Sequence, residues 1–166
     1  TKQNLFQDND LKFSLICDPS LRIGIPQYFT KIDSLNGPLG LDTAKLKALQ
    51  KIRIAGSVLR PDSTFWADYN GTINLKVLDV DKQIHIEDFG YPFDFRLDGG
   101  TIFTGRANVV NGKWSVEFIV PKDISYSTGN GKILAYFKNS SSDGVGYTNQ
   151  FTINGIDSTA VPDTTG

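Results

Sequence analysis

The sequence contains one cysteine, Cys17, and one histidine, His85, the residue types that can form a nucleophile and its base. A cysteine nucleophile needs a neighbouring base to remove its proton, and histidine commonly serves. Cys17 lies near the N-terminus, whereas His85 alternates with Ile84 and Ile86 in a predicted strand. Because nothing in the sequence brings the two side chains together, we expect structural roles for both and predict no catalytic residue.

Four acidic residues, Asp79, Asp81, Glu87 and Asp88, lie close together and could offer oxygen ligands to calcium. The spacing of a calcium-binding loop, with its required glycine and its terminal glutamate, is absent from this segment. A solvated acidic turn is therefore the preferred interpretation, and the sequence predicts no metal site and no cofactor.

Three aromatic residues, Trp66, Tyr69 and Tyr91, lie in predicted loops, where binding residues are common. A solvent-facing row of these rings would stack on sugars and would indicate a carbohydrate-binding or adhesion module. The competing interpretation is that they cap one end of a sandwich core. A fourth aromatic residue, Trp114, is expected inside that core.

The elements that must position these residues are strands, and the clearest lie within residues 101–121. Two alternating runs flank Asn111 and Gly112, a pair that favours a type I′ turn because both residues tolerate positive φ. A two-residue turn fixes the register of a hairpin. The expected opposite residues are Val109 with Trp114, Ala107 with Val116, and Arg106 with Glu117 as a charge pair.

Other alternating runs, separated by turn residues, predict further strands at 51–58, 72–79, 83–87, 93–97, 132–138 and 147–153. Residues 42–50 have a weak helical pattern, and we interpret them as an irregular segment that leads into the strand at 51–58. Residues 11–16 and 21–25 are predicted to be extended, and residues 27–41 to form a connector. The pattern predicts an all-β protein, an immunoglobulin-like antiparallel β-sandwich of about seven strands with an N-terminal extended extension.

The composition is that of an ordinary globular protein, with 39% apolar and 21% charged residues. A net charge of −1 provides no general attraction to nucleic acid or anionic lipid. A single cysteine excludes a disulfide within the chain, and no apolar run is as long as a membrane span. The sequence has no methionine, so we expect an internal piece of a longer protein or a processed product.

Several segments together resemble one protein family. The segment LICDPSLRIGIPQY resembles the end of the peptidase domain in gingipain-type cysteine peptidases. The segments KALQKIRIAGSV, DYNGTINLKVLD, IFTGRANVVNGKWSVEFIVPKDISYSTGNGKILAYF and GYTNQF then follow in order. They resemble the region after the peptidase domain in PorU-type proteins, sortase-like peptidases of the Bacteroidetes type IX secretion system. The most specific block is VNGKWSVEFIVPKDISYSTGNGKI.

The resemblance implies a secreted, outer-membrane or cell-surface cysteine peptidase whose His-Cys dyad lies upstream, in a caspase-like domain. Sortases of this type remove C-terminal secretion signals and attach cargo to anionic lipopolysaccharide. The implied division is 1–42 for the end of the peptidase domain and a connector, 43–155 for the sandwich, and 156–166 for a linker. Cys17 stands where the family usually has glycine before Asp-Pro, so it is not expected to be an active-site cysteine.

The sequence therefore predicts a non-catalytic accessory domain that supports or spaces a peptidase domain. Its expected partners are the upstream caspase-like domain, adjoining modules of the same chain and other type IX secretion components, with no nucleic acid and no membrane-spanning segment. The alternative is an adhesion or carbohydrate-binding module. An exposed apolar patch near residues 11–25 would favour the accessory domain, and a solvent-facing row of Trp66, Tyr69 and Tyr91 would favour the alternative.

Overall fold

A computed structural model of the chain describes residues 20, 24–40, 43–88, 90–125 and 128–156. These residues contain twelve strands and no helix, which confirms the all-β prediction. The strands are β1 (Tyr28–Leu35), β2 (Lys45–Ala48), β3 (Lys51–Leu59), β4 (Gly71–Leu78), β5 (Lys82–Asp88), β6 (Tyr91–Leu97), β7 (Thr101–Val109), β8 (Lys113–Ile119), β9 (Gly129–Asn130), β10 (Lys132–Lys138), β11 (Asp143–Thr148) and β12 (Thr152–Ile156). Nothing in the described part of the chain is a helix able to span a membrane.

Seven strands form one large sheet in the order β7-β4-β10-β11-β1-β3-β8. A small sheet has the order β2-β12-β9, and β5 and β6 form a separate two-stranded sheet. The pairs β1–β11 and β2–β12 are parallel, whereas the other pairs are antiparallel. The arrangement is consistent with the predicted β-sandwich, with these two parallel pairs as departures from a purely antiparallel one.

One hydrophobic core joins the large sheet to the small one. Alternate residues of β3 point inward, so Ile52 and Ile54 are fully buried while Arg53 between them is exposed. The edge strands also meet across this core, because the rings of Phe103 on β7 and Phe118 on β8 stack with centroids 4.1 Å apart. The large sheet therefore curls until its two edges face each other.

The predicted turn between β7 and β8 is confirmed. Asn111 and Gly112 have φ values of 50° and 72°, as a type I′ turn requires. The backbones of Val110 and Lys113 exchange two hydrogen bonds, at 2.9 and 3.0 Å. A residue with a Cβ is strained at the φ of Gly112, so this glycine is part of the reason that the chain reverses here.

The predicted register beyond that turn is wrong. The two strands separate to opposite edges of the large sheet, so Trp114 lies opposite Gly56 of β3 rather than opposite Val109. Glu117 lies opposite Arg53 and binds Lys51 at 3.0 Å, whereas Arg106 lies opposite Asn74 of β4. The predicted charge pair of Arg106 with Glu117 is therefore replaced by these contacts. The curl of the sheet is the reason, because side chains of the core fill the space between the diverging strands.

The interpretation of residues 27–41 as a connector is also wrong. Tyr28–Leu35 forms β1, which lies inside the large sheet between β11 and β3. The prediction that 42–50 is irregular is wrong for Lys45–Ala48, which form β2, and Leu49 follows this strand with a φ of 66°. The extended segment predicted at 11–16 and the first three residues of the one predicted at 21–25 lie outside the described residues, and Gly24 and Ile25 belong to no strand. The peptidase end assigned to the first part of the chain and the linker at 156–166 stay predictions.

Candidate interaction surfaces

The two residues considered for catalysis are only partly covered by the structure. His85 lies on β5 with its Nδ1 2.7 Å from Oδ1 of Asp94 on β6, and both side chains are exposed. Cys17 lies outside the described residues. The absence of a catalytic residue in this chain therefore stays a prediction.

The acidic residues at the end of β4 act as structural anchors. The buried carboxylate of Asp79 accepts a hydrogen bond from the backbone N–H of Ser125 at 2.5 Å. Oδ1 of Asp81 lies 2.7 Å from Nζ of Lys132, which also lies 2.6 Å from Oδ1 of Asp98. The hydrogen bonds to the carboxylates of Asp81 and Asp98 raise the pKa of Lys132, and the hydrogen bond from Lys132 lowers the pKa of Asp98. These contacts clamp together the two chain segments that lead into and out of the β5–β6 pair.

The row of exposed rings that the carbohydrate-binding alternative requires does not form. Tyr69 is 1% exposed and its ring packs against that of Phe137, with centroids 5.1 Å apart. Trp66 is half-buried between Tyr28 at 4.6 Å and Tyr69 at 4.9 Å. Tyr91 is exposed on β6. The rings of Trp66 and Tyr69 therefore cap the core, as the competing interpretation predicted. The carbohydrate-binding alternative lacks the solvent-facing row of rings on which it depends.

The hydroxyl group of Tyr69 is buried and has no hydrogen-bond partner among the described residues. Burial, followed by the charges of Asp143 and Tyr136, raises its pKa from 10.0 to about 12. A buried donor without a partner loses its hydration and gains nothing in return. The unpaired hydroxyl group therefore lowers the free energy of unfolding at neutral pH. The raised pKa lowers this free energy further at alkaline pH, where the unfolded tyrosine loses its proton before the folded one does.

We expect Tyr69→Phe to leave the free energy of unfolding unchanged or raise it by about 1 kcal/mol at pH 7, since it removes an unpaired buried hydroxyl. In the wild type the unfolded tyrosine ionises near pH 10, while the folded one holds its proton to about pH 12. Stability should thus fall as the pH rises between these values, and the variant should lose less. Urea unfolding at pH 7 and pH 11 measures both effects. The matched control is Tyr136→Phe, which removes an exposed hydroxyl that donates to Asp143 at 3.0 Å. If Tyr69→Phe lowered the free energy of unfolding by more than about 1 kcal/mol at pH 7, the Tyr69 hydroxyl could not be an unpaired group.

The outer face of the large sheet carries an apolar groove of about 610 Å³. Its floor consists of side chains from the three neighbouring strands β10, β11 and β1, which are between 38% and 55% exposed: Phe29, Leu134, Tyr136, Val145 and Tyr147. Polar side chains of β4 and β7 lie along one side: Asn74, Lys76 and Thr104. A strand that is apolar on both faces, as β10 is, is typical of a sheet that is covered on both sides.

The sequence pattern did not predict this groove, because it did not predict β11. The predicted strands at 132–138 and 147–153 leave residues 139–146, which are mostly polar or glycine, as a loop between them. In the structure a Cβ at Gly144 would lie 2.5 Å from ring atoms of Phe137, so glycine is required by close packing rather than by a loop. Val145 and Tyr147 alternate with these glycines and point outward. That alternation is the signal that could have identified the strand.

The chain was compared with protein families, curated proteins and solved structures. No protein-family model matches the sequence, and no curated protein is significantly similar to it. The crystal structure of dimeric latent PorU from Porphyromonas gingivalis matches 88% of this chain with a TM-score of 0.68 and 27% sequence identity. The chain is similar to a region of PorU. Because the match covers 14% of the PorU chain, it concerns the fold of one region of that protein.

A second solved structure, the sporulation control protein Spo0M from Bacillus subtilis, matches 81% of this chain and 51% of its own. Its TM-score of 0.41 and identity of 11% are too low to support an argument. The similarity to PorU supports the predicted PorU-like region.

Proposed function

We propose that this chain is a non-catalytic accessory domain of a larger PorU-type cysteine peptidase, in which it supports or spaces the catalytic domain. The observation that carries the proposal is the similarity to PorU, which extends over most of this chain and a small part of that one. On this proposal the catalytic His-Cys dyad lies upstream in a caspase-like domain, and Cys17 takes no part in it.

The exposed groove on the outer sheet face supports the proposal. Monomeric soluble proteins seldom expose contiguous apolar surfaces unless a partner or ligand covers them. Here three adjacent strands each place apolar side chains on the outer face. A domain that packs against its neighbours in a longer chain would have such a face, and the expected partners are the peptidase domain and adjoining modules, with other type IX secretion components beyond them. We propose a secreted or cell-surface location on the same similarity.

Peptidase assays test the proposal. Purified residues 1–166 should not cleave arginine- or lysine-directed fluorogenic peptides under reducing conditions, with or without Cys17→Ala. A cysteine needs a base, an oxyanion hole and a group that protonates the leaving amine, and none of these is assigned to this chain. The longer polypeptide encoded by the same reading frame should cleave such peptides, and Cys17→Ala should leave its rate unchanged. Turnover by residues 1–166 that disappears with Cys17→Ala would refute the proposal, as would a reading frame without an upstream peptidase domain.

A further inference from the structure

Strands β5 and β6 form a two-stranded ribbon that pairs with no other strand of the described chain. Their register places Ile84 opposite Phe95 and Ile86 opposite Phe93, all on one face. Since side chains alternate along a strand, Tyr91 and Leu97 lie on the same face. The apolar residues of this face are Ile84, Ile86, Tyr91, Phe93, Phe95 and Leu97, and the register places Lys82 and Asp88, at the two ends of β5, on the same face.

The opposite face of the ribbon is polar. It carries the pair His85 and Asp94, in contact at 2.7 Å, and the pair Gln83 and Arg96, in contact at 3.4 Å. Glu87 is exposed on the same face. Apolar and polar residues alternate over 83–87 and 93–97, which is the pattern of a sheet that is buried on one side and solvated on the other.

The side that this pattern marks for burial is nevertheless open. Tyr91 is 79% exposed, Phe93 63%, Leu97 49% and Ile86 45%. An isolated two-stranded ribbon is marginally stable in water, because each strand has a single neighbour. The clamp of Lys132 on two carboxylates fixes only the root of the ribbon. The ribbon therefore extends from the sandwich as an arm with an uncovered apolar face.

The size of this face indicates what kind of surface can cover it. Each strand has seven residues, so the face is about 23 Å long and about 10 Å wide and has eight residues, four from each strand. A stable complex between separate proteins needs about 20–30 residues from each partner. A much smaller contact is sufficient when both surfaces belong to one polypeptide, because tethering replaces most of the entropy lost on association.

We propose that the apolar face of the β5–β6 ribbon packs onto an apolar surface of another domain of the same longer polypeptide. This inference rests on the proposed function, which makes the chain one domain among several. The register places the charged residues of this face, Lys82 and Asp88, at its two ends and leaves its middle apolar, so its counterpart is apolar at the centre of the contact. The ribbon thus ties two domains together at a point separate from the groove.

Hydrogen exchange compares the ribbon in purified residues 1–166 with the ribbon in the longer polypeptide. The amides of β5 and β6 should exchange about tenfold more slowly in the longer polypeptide, whereas those of β3 should exchange alike in both. The double variant Ile86→Gln and Phe93→Gln should abolish this protection and lower the thermal midpoint of the longer polypeptide by about 2–4 °C. The control Glu87→Gln, on the polar face of the same ribbon, should change neither.

Several outcomes would overturn the inference. One is equal exchange of the ribbon in both polypeptides. A second is a dimer of residues 1–166 in sedimentation velocity that the double variant dissociates, which would make a second copy the occupant. A third is sedimentation with phosphatidylcholine vesicles that the double variant abolishes. The ribbon could also be protected from hydrogen exchange in a longer polypeptide that has no peptidase domain. That result would refute the proposed function and leave this inference intact.

Discussion

Trp114→Ala is expected to lower the free energy of unfolding by about 3–5 kcal/mol, the usual loss for a large aromatic side chain in a core. Trp114 is 4% exposed and its ring covers Gly56 of the neighbouring strand. Its Nε1–H donates to Oγ1 of Thr30 at 2.8 Å, and that hydroxyl donates in turn to the carbonyl oxygen of Ser57 at 3.0 Å. The indole ring thus joins β8 to β1 and β3 as well as filling the core.

Two variants separate the ring from its hydrogen bond in urea unfolding experiments. Trp114→Phe keeps most of the packing and removes the donor, so it should cost less than the alanine variant. Thr30→Val removes both bonds and leaves the indole N–H unpaired, so it should cost about 1–3 kcal/mol. Arg106→Ala is the exposed control, expected to cost less than about 1 kcal/mol, since Arg106 is exposed and makes a 3.3 Å hydrogen bond to the hydroxyl of the half-buried Thr72. Equal losses for Trp114→Ala and Arg106→Ala would show that the ring is not in the core.

Gly144→Val should lower the free energy of unfolding by at least about 1–3 kcal/mol, the usual cost of overpacking. A Cβ at this position would overlap the carbonyl oxygen of Tyr28 and the ring of Phe137. The first contact involves backbone of β1, paired in parallel with β11, and backbone cannot rotate away as a side chain can. The substitution therefore tests whether residues 27–41 and 139–146 are sheet or loop.

Gly100→Val is the matched control, because a Cβ at Gly100 meets no atom within 4 Å. Urea unfolding should give a clear loss for residue 144 and a change within about 0.5 kcal/mol for residue 100. Similar small changes at both positions would show that β11 does not pack against β1, and the groove on the outer sheet face would then lose two of its three strands.

The inward faces of individual strands could be predicted from the sequence, because alternation is a property of neighbouring residues. Ile133 and Phe137 lie on one alternating face of the strand predicted at 132–138, and both are fully buried. The turn at Asn111 and Gly112 was predictable for the same reason, since its φ values depend on two residues alone.

The partners of the strands could not be predicted in this way. An Asn-Gly turn normally joins strands that stay paired, but here β8 pairs with β3, and only the packing of the whole core decides this. The sequence pattern did not predict β1, because the residues that flank it are typical of turns: Pro26, Asn36, Gly37 and Pro38. Tertiary packing overrides such local signals, as β-propensity in general depends on context.

The apolar character of the candidate surfaces could be predicted in part from the sequence. Leu134 and Tyr136 lie between the inward residues of β10, so an apolar outer face followed from the predicted strand itself. The apolar face of the ribbon was equally readable once the register of β5 and β6 was known. What the sequence did not indicate is that both faces are exposed, because exposure depends on which other elements cover them.

The position of β1 has a consequence for how the chain folds during synthesis. Tyr28 and Phe29 pair with Gly144 and Val145, near the opposite end of the described chain. A ribosome therefore releases β1 long before its parallel neighbour exists. Contacts between residues so distant in sequence slow folding, since the loop between them must close first. Until β11 emerges, one side of β1 is an unpaired edge onto which other nascent chains can add, so truncation before residue 143 should yield aggregation rather than a smaller domain.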